Sequence, residues 1–144
     1  MPLNDLATDF QREPPVVLDA AYVERLQGLA SAASQRTPEV ADRLLNEIDR
    51  AEVRPSAEVP ETVVNIGSLV TFRDEATGRV QTVTLVMPPE ADIAERRASI
   101  LTPIGAALIG LAEGASITWL TRNGETRRLT ITAVRRASGE SPPA

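Results

Sequence analysis

The sequence predicts an α+β protein in which a short antiparallel helical hairpin precedes a small, mainly antiparallel sheet carrying one short helix. Three observations predict it. Apolar residues recur at helical spacing between Leu18 and Val53, and after the Pro-rich stretch RPSAEVPE they alternate as in strands. Asn123-Gly124 then joins two of the strand-like runs, a strong hairpin signal.

Residues 1–15, MPLNDLATDFQREPP, lack periodicity and end in a Pro pair, so residues 1–17 are expected to form a loose leader. Asp19 can N-cap a first helix, along which Tyr22, Leu26, Leu29 and Ala33 follow at i, i+4, i+7 and i+11. SAASQRT interrupts the pattern. Thr37-Pro38-Glu39 restarts it, with Thr37 as N-cap, Pro38 in the first helical position and Glu39 in the positive first turn. Ala41, Leu44, Leu45 and Ile48 form the stripe of this second helix, which should fade near Val53, before Pro55. Two helices of about 16 residues give arms of roughly 24 Å at 1.5 Å per residue. The hairpin is assigned to residues 18–54. Its periodicity favours a pair folded against the rest of the chain over a projecting arm.

Residues 54–61 read as a domain boundary, and residues 60–137 as a second domain expected to fold alone. LVTFRD (69–74) alternates, with Val70 and Phe72 on one face. EATG turns the chain into RVQTVTLVM (79–87), where Val83, Leu85 and Met87 share a face. PPEADIAERRAS (88–99) is a polar excursion. ITWL (117–120) and RLTITAV (128–134) are two further strands, joined across Arg122-Asn123-Gly124. Between them and the excursion lies TPIGAALIGLAEG (102–114). Thr102-Pro103 repeats the logic of Thr37-Pro38, and Ile104, Leu108 and Leu111 fall on one face of a two-turn helix covering the sheet. Gly110 is its expected stop, and Gly114 sits in the following turn. Residues 138–144 form a tail.

Composition removes several function classes. The chain has 144 residues, no Cys and no His, so disulfides, thiolate metal sites, the usual zinc sites and histidine-based catalysis are excluded. Neither a transmembrane helix nor a secretory signal is expected, because no run of apolar residues is long enough and no charged and apolar leader is present. A cytoplasmic protein fits. Net charge is −5, all fifteen basic residues are Arg, and residues 1–59 hold six Arg against eleven Asp and Glu. Such a chain has no overall electrostatic reason to seek DNA. Gly105-Ala-Ala-Leu-Ile-Gly110 matches the glycine spacing of a phosphate loop, but Leu111 and Ala112 stand where Lys and Ser/Thr are needed. No cofactor is expected.

The stretch TPIGAALIGLAEGASITW, followed by a Gly-containing hairpin and RLTITAVRR, resembles the C-terminal domain shared by the Gre transcript-cleavage factors and the Rnk proteins (regulators of nucleoside diphosphate kinase). VVNIGSLVTFRD and VQTVTLVMPPEAD are similar to the first strands of that domain. The TLV-P segment and RLLNEIDRAEV look like those of the Rnk proteins in particular. The resemblance covers roughly residues 18–136. It implies a coiled-coil hairpin followed by an FKBP-like domain. It also implies a role: Gre factors insert the coiled coil into the secondary channel of bacterial RNA polymerase while the C-terminal domain grips the channel rim. The family's Ser/Thr-Pro element lies in that grip and corresponds here to Thr102, Pro103 and Ile104. Of these, Ile104 is expected in the core, and Thr102 and Pro103 are the better contact candidates.

Gre catalysis depends on an acidic tip motif resembling Asp-Leu-Ser-Glu-Asn, whose carboxylates help hold Mg²⁺, as a hard cation requires. This chain lacks the motif. Its tip reads SAASQRTPEVADR, with Gln35, Arg36, Glu39 and Asp42 at or beside the turn. Glu39 and Asp42, at i and i+3, could share a cation, but they also suit the first turns of a helix, and the short arm argues against reach. Phe72 and Trp119 are too few aromatics for a prolyl isomerase pocket, and one or both should be core. The expected function is therefore a non-enzymatic, monomeric regulator. It would bind the polymerase channel rim and compete with Gre factors without stimulating cleavage. A Gre-like cleavage factor using Glu39 and Asp42, or a generic protein-interaction module, are the alternatives. Any effect on nucleoside diphosphate kinase is expected at the level of expression.

Overall fold

The structure, a computed structural model, describes residues 14–120 and 123–136. In chain order the elements are β1 (Val17–Asp19), α1 (Ala20–Ala33), α2 (Pro38–Arg50), β2 (Glu52–Arg54), β3 (Ser68–Asp74), β4 (Val80–Val86), β5 (Arg97–Ser99), α3 (Pro103–Leu108), β6 (Ser116–Leu120) and β7 (Thr126–Arg136). The α+β class and the order of hairpin before sheet are as the sequence predicts. Residues 1–13 of the expected leader, the tail and Arg122 lie outside the described residues.

The sheet runs β5-β4-β3-β7-β6 and is antiparallel except where β5 lies parallel to β4. Val70, Phe72 and Asp74 alternate inward along β3, as period two requires. Beside Thr71 the pairing with β7 skips Thr132, a β-bulge, and the Thr132 hydroxyl donates to the Thr71 carbonyl at 3.2 Å. A second, two-stranded parallel sheet pairs β1 with β2 and closes the base of the hairpin.

One apolar core serves both halves. Leu26 and Ala30 of α1 and Val40, Leu44 and Ile48 of α2 pack in the same cluster as Leu108 of α3 and Val70, Leu85, Leu129 and Ile131 of the sheet. Polar ties reinforce the join. The Arg43 guanidinium on α2 donates to the Thr118 carbonyl of β6 at 3.1 Å, and the buried Glu47 carboxylate, 3.6 Å from the Arg43 Nε, steadies that guanidinium. Asp19 is buried. It accepts from the Ala21 amide at 2.9 Å, the Ser56 hydroxyl at 2.6 Å and the Asn65 side-chain amide at 3.0 Å. One carboxylate thus caps α1 and fastens it to the Pro-rich stretch at Ser56 and to the chain beyond it at Asn65. Burial raises its pKa, but the Ser56, Asn65 and Ala21 hydrogen bonds, with the Arg136 charge, outweigh that and hold it below the ordinary aspartate value.

Several local expectations need correction. In α1 the buried residues are Leu26 and Ala30, while Tyr22 and Leu29 are only partly covered, because the helix meets its partner along a narrower face. The second helix stops at Arg50, where the chain turns extended to pair β2 with β1. The polar excursion is not featureless. It contains two short 3-10 turns, Pro88–Glu90 and Ile93–Glu95, and the edge strand β5. Thr37 precedes Pro38 as expected, but its side chain makes no cap hydrogen bond and its hydroxyl donates back to the Ala33 carbonyl at 3.3 Å.

Candidate functional site

The short helix α3 begins on a compact polar knot. The Thr102 hydroxyl donates to the Ser99 carbonyl at 2.7 Å and accepts from the Gly105 amide at 3.1 Å, so one side chain closes the approach and caps the helix. The Ser99 hydroxyl in turn accepts from the Leu101 amide at 2.9 Å. Pro103 follows with its ring-fixed backbone in the first helical position, where a missing N–H costs nothing.

Two of the glycines in this stretch answer to close approach. A Cβ on Gly105 would stand 2.2 Å from the Ser99 carbonyl oxygen, so only glycine lets the helix sit this near the loop. Gly110 holds φ at +81° beside Val16, donates to the Val64 carbonyl at 2.9 Å and accepts from the Val17 amide at 3.0 Å. It also ties the hairpin base to the chain at Val64, and with its left-handed φ it is the expected glycine just past the helix cap. The helix ends at Leu108, with Ile109 as its cap residue.

The edge made by Thr102, Pro103 and Ile104 borders an open groove of about 730 Å³, whose other wall is the chain from Ala91 to Ser99 and which Trp119 and Val83 also line. Ile104 is half-buried in this groove and not part of the sealed core, because the fully buried part of the six-residue α3 runs from Gly105 to Leu108. Phe72 is core, while Trp119 packs against the core from the groove side.

The hairpin tip is a separate place. Gln35, Arg36, Glu39 and Asp42 are all exposed, and none lines the groove. Among the described residues no group of three or more acidic side chains is placed to hold a metal ion. The structure therefore brings Thr102, Pro103 and Ile104 together and leaves the tip residues apart from them.

Sequence reasoning missed Ile93, Arg96, Arg97 and Trp119 as groove residues. Asp92 carried a usable signal, since Asp92 and Glu95 have the spacing of a helix start. In the structure the Asp92 carboxylate accepts from the Ala94 and Glu95 amides, and Arg96 ends the turn at φ +58°. No helix among the described residues is long and apolar enough to cross a membrane.

Comparison with known proteins agrees with this geometry. The family described as transcription elongation factor, GreA/GreB, C-term, matches residues 59–136, and the Rnk N-terminus family matches residues 14–53. The regulator of nucleoside diphosphate kinase from Escherichia coli is 33% identical over 118 residues, covering 82% of this chain and 87% of the relative. Transcription elongation factor GreA from Brucella anthropi is 33% identical over 116 residues, 74% of each chain. Among solved structures, the prokaryotic transcription elongation factor GreA/GreB from Nitrosomonas europaea superposes with a TM-score of 0.67 at 36% identity, covering 85% of this chain and 99% of that one. With a matched sheet domain and a relative similar along most of its length, this chain belongs to the GreA/GreB C-terminal family and carries an Rnk-type helical hairpin in front of that domain.

Proposed function

We propose that this protein is a regulator of transcription that binds bacterial RNA polymerase at the rim of the secondary channel, competes there with Gre-type factors and does not stimulate transcript cleavage. The observation that carries the reading is the rigid Thr102–Pro103–Ile104 edge beside an open groove, on a domain of the GreA/GreB family. That edge suits a protein contact. Its hydroxyl is already satisfied, its backbone is fixed by Pro103 and the cap, and little entropy remains to be lost on docking.

The arm supports the second half of the proposal. Its helices have 14 and 13 residues, roughly 21 and 20 Å at 1.5 Å per residue, and are packed along their length into the core that they share with the sheet. A hairpin fastened in this way offers a short tip without the acidic motif of the cleavage factors. The protein is proposed to act as a monomer in the cytoplasm, with the polymerase as its macromolecular partner.

Co-purification with core RNA polymerase tests the reading. The protein should be retained by core enzyme and released by excess Gre factor. Absence of retention removes the proposal. One observation favours a cleavage role instead: Glu39 and Asp42 are exposed within one helical turn of each other. Stalled elongation complexes given this protein are expected to show no added endonucleolytic cleavage. Cleavage that vanishes in Glu39→Ala with Asp42→Ala would establish that alternative.

A further inference from the structure

The groove beside Thr102 carries a charge pattern that its apolar walls do not account for. The charged side chains lining it are Arg96 and Arg97, and no carboxylate is among them. Both are exposed, and neither makes an ion pair among the described residues. Of the acids in the same turn, Asp92 is committed to the amides of that turn, and Glu95, directly before Arg96, does not line the groove.

The remaining polar groups sharpen the pattern. The Thr82 hydroxyl pairs with Thr71, Ser99 holds the Leu101 amide, and Thr102 is used twice. The Trp119 indole N–H is buried without a hydrogen-bond partner. Besides the Gln81 side-chain amide, the groove therefore presents cationic donors and no acidic acceptor. Their backbone is firmly held: the Arg96 amide donates to Ile93 at 3.0 Å, and its carbonyl accepts from the Thr84 amide at 2.9 Å. Ile93, 94% exposed, stands at the same mouth and gains by being covered.

We infer that this groove selects a protein segment that presents an aliphatic side chain flanked by an aspartate or glutamate. The aliphatic group is covered between Ile93 and Ile104, and the carboxylate pairs with Arg96 and Arg97. The inference rests on the polymerase reading, which places that acidic segment on the channel rim. A nucleic-acid phosphate fits less well, because the chain as a whole carries a net charge of −5 and two arginines make a small electrostatic footprint.

The test measures affinity for core polymerase, free of nucleic acid and with RNA and DNA bound, over a range of salt concentrations, for the parent, for Arg96→Gln with Arg97→Gln, for Arg97→Gln alone and for Arg96→Lys with Arg97→Lys. The double Gln variant should bind about tenfold or more weakly at low salt, with a flatter salt dependence, and the Lys pair should keep most of the parent's affinity. Thermal melting checks each fold, and the single Arg97→Gln variant, which spares the left-handed position, should show a smaller loss of the same kind. A double Gln variant that binds like the parent with the same salt dependence overturns the inference and leaves rim binding standing. A parent that fails to bind core polymerase overturns both. A loss seen only when RNA or DNA is bound to the polymerase assigns the arginines to phosphate and overturns the carboxylate.

Discussion

The chain starts two helices with the same dipeptide, and the two starts are built differently. Thr102-Pro103 is extended at Thr102, its hydroxyl caps the Gly105 amide, and its approach is tied to Ser99. Thr37-Pro38 comes a short turn after the end of α1, within reach of the Ala33 carbonyl, which also accepts from the Arg36 and Thr37 amides. The Thr37 hydroxyl turns back to it, and the Val40 amide receives no cap from Thr37. A capping signature therefore marks where a helix begins but does not decide which acceptor or donor the hydroxyl serves. That depends on the element before it. The consequence is functional: the first turn of the proposed grip is braced by a side-chain cap, whereas the tip turn closes back on the end of α1.

The contrast is open to mutation. The largest effect should come from the third residue of each helix. Gly105→Ala forces a Cβ against the Ser99 carbonyl and should cost about 3 kcal/mol of stability, the upper part of the overpacking range. At the corresponding position of α2, Val40 already carries a branched side chain that belongs in the core. A melt of Gly105→Ala close to the parent's would show that the loop below α3 can give way.

A third helix start, Asp19, should rank next. Asp19→Ala removes a cap and strands Ser56 and Asn65, at about 2–3 kcal/mol. Its carboxyl is held below the ordinary value in the folded state, so its charge contributes stability above the unfolded aspartate pKa of about 3.9. That contribution is lost as pH falls through the lower folded value. Acid melts of Asp19→Asn should therefore show a shallower loss of stability below about pH 4 than the parent. Equal slopes would place the acid sensitivity elsewhere.

The two threonines make the smallest and sharpest comparison. Thr102→Ala should cost about 1 kcal/mol, as for a working N-cap, and Thr37→Ala should fall within about 0.5 kcal/mol of the parent, as for an ordinary surface change. Denaturant melts of the two variants side by side decide it. Equal losses would mean that the bond to Ala33 stabilises as much as a true cap.

Most of the fold was legible because its long elements have strong periods. Leu44 and Ile48 mark a helix, Val70 and Phe72 a strand, and Asn123-Gly124 a hairpin. What stayed hidden has physical causes. The strands β1, β2 and β5 have three residues each, too few to leave a period, and β1 and β2 pair across the whole hairpin. The helix start at Thr102 could be read from its cap motif, but the far wall of the groove could not. Ile93, Arg96 and Arg97 sit on a 3-10 turn and a short edge strand, and only the fold of that turn brings them opposite Ile104. Gly105 showed only as a match to the glycine spacing of a phosphate loop, since nothing in the sequence says that a carbonyl lies under it.

The central claim is that the Thr102–Ile104 edge is where the protein holds RNA polymerase, and Thr102→Arg with Pro103→Glu tests it most directly. Affinity for core polymerase and thermal melting are measured on the same preparation, with Leu108→Ala as the control that should lose roughly 2–5 kcal/mol of stability as a fully buried side chain. The edge variant should melt within about 1–2 kcal/mol of the parent, the cost of a lost cap, and its binding should fall by about two orders of magnitude or more through burial of unpaired charge. If it melts normally and binds as tightly as the parent, the grip lies elsewhere on the molecule.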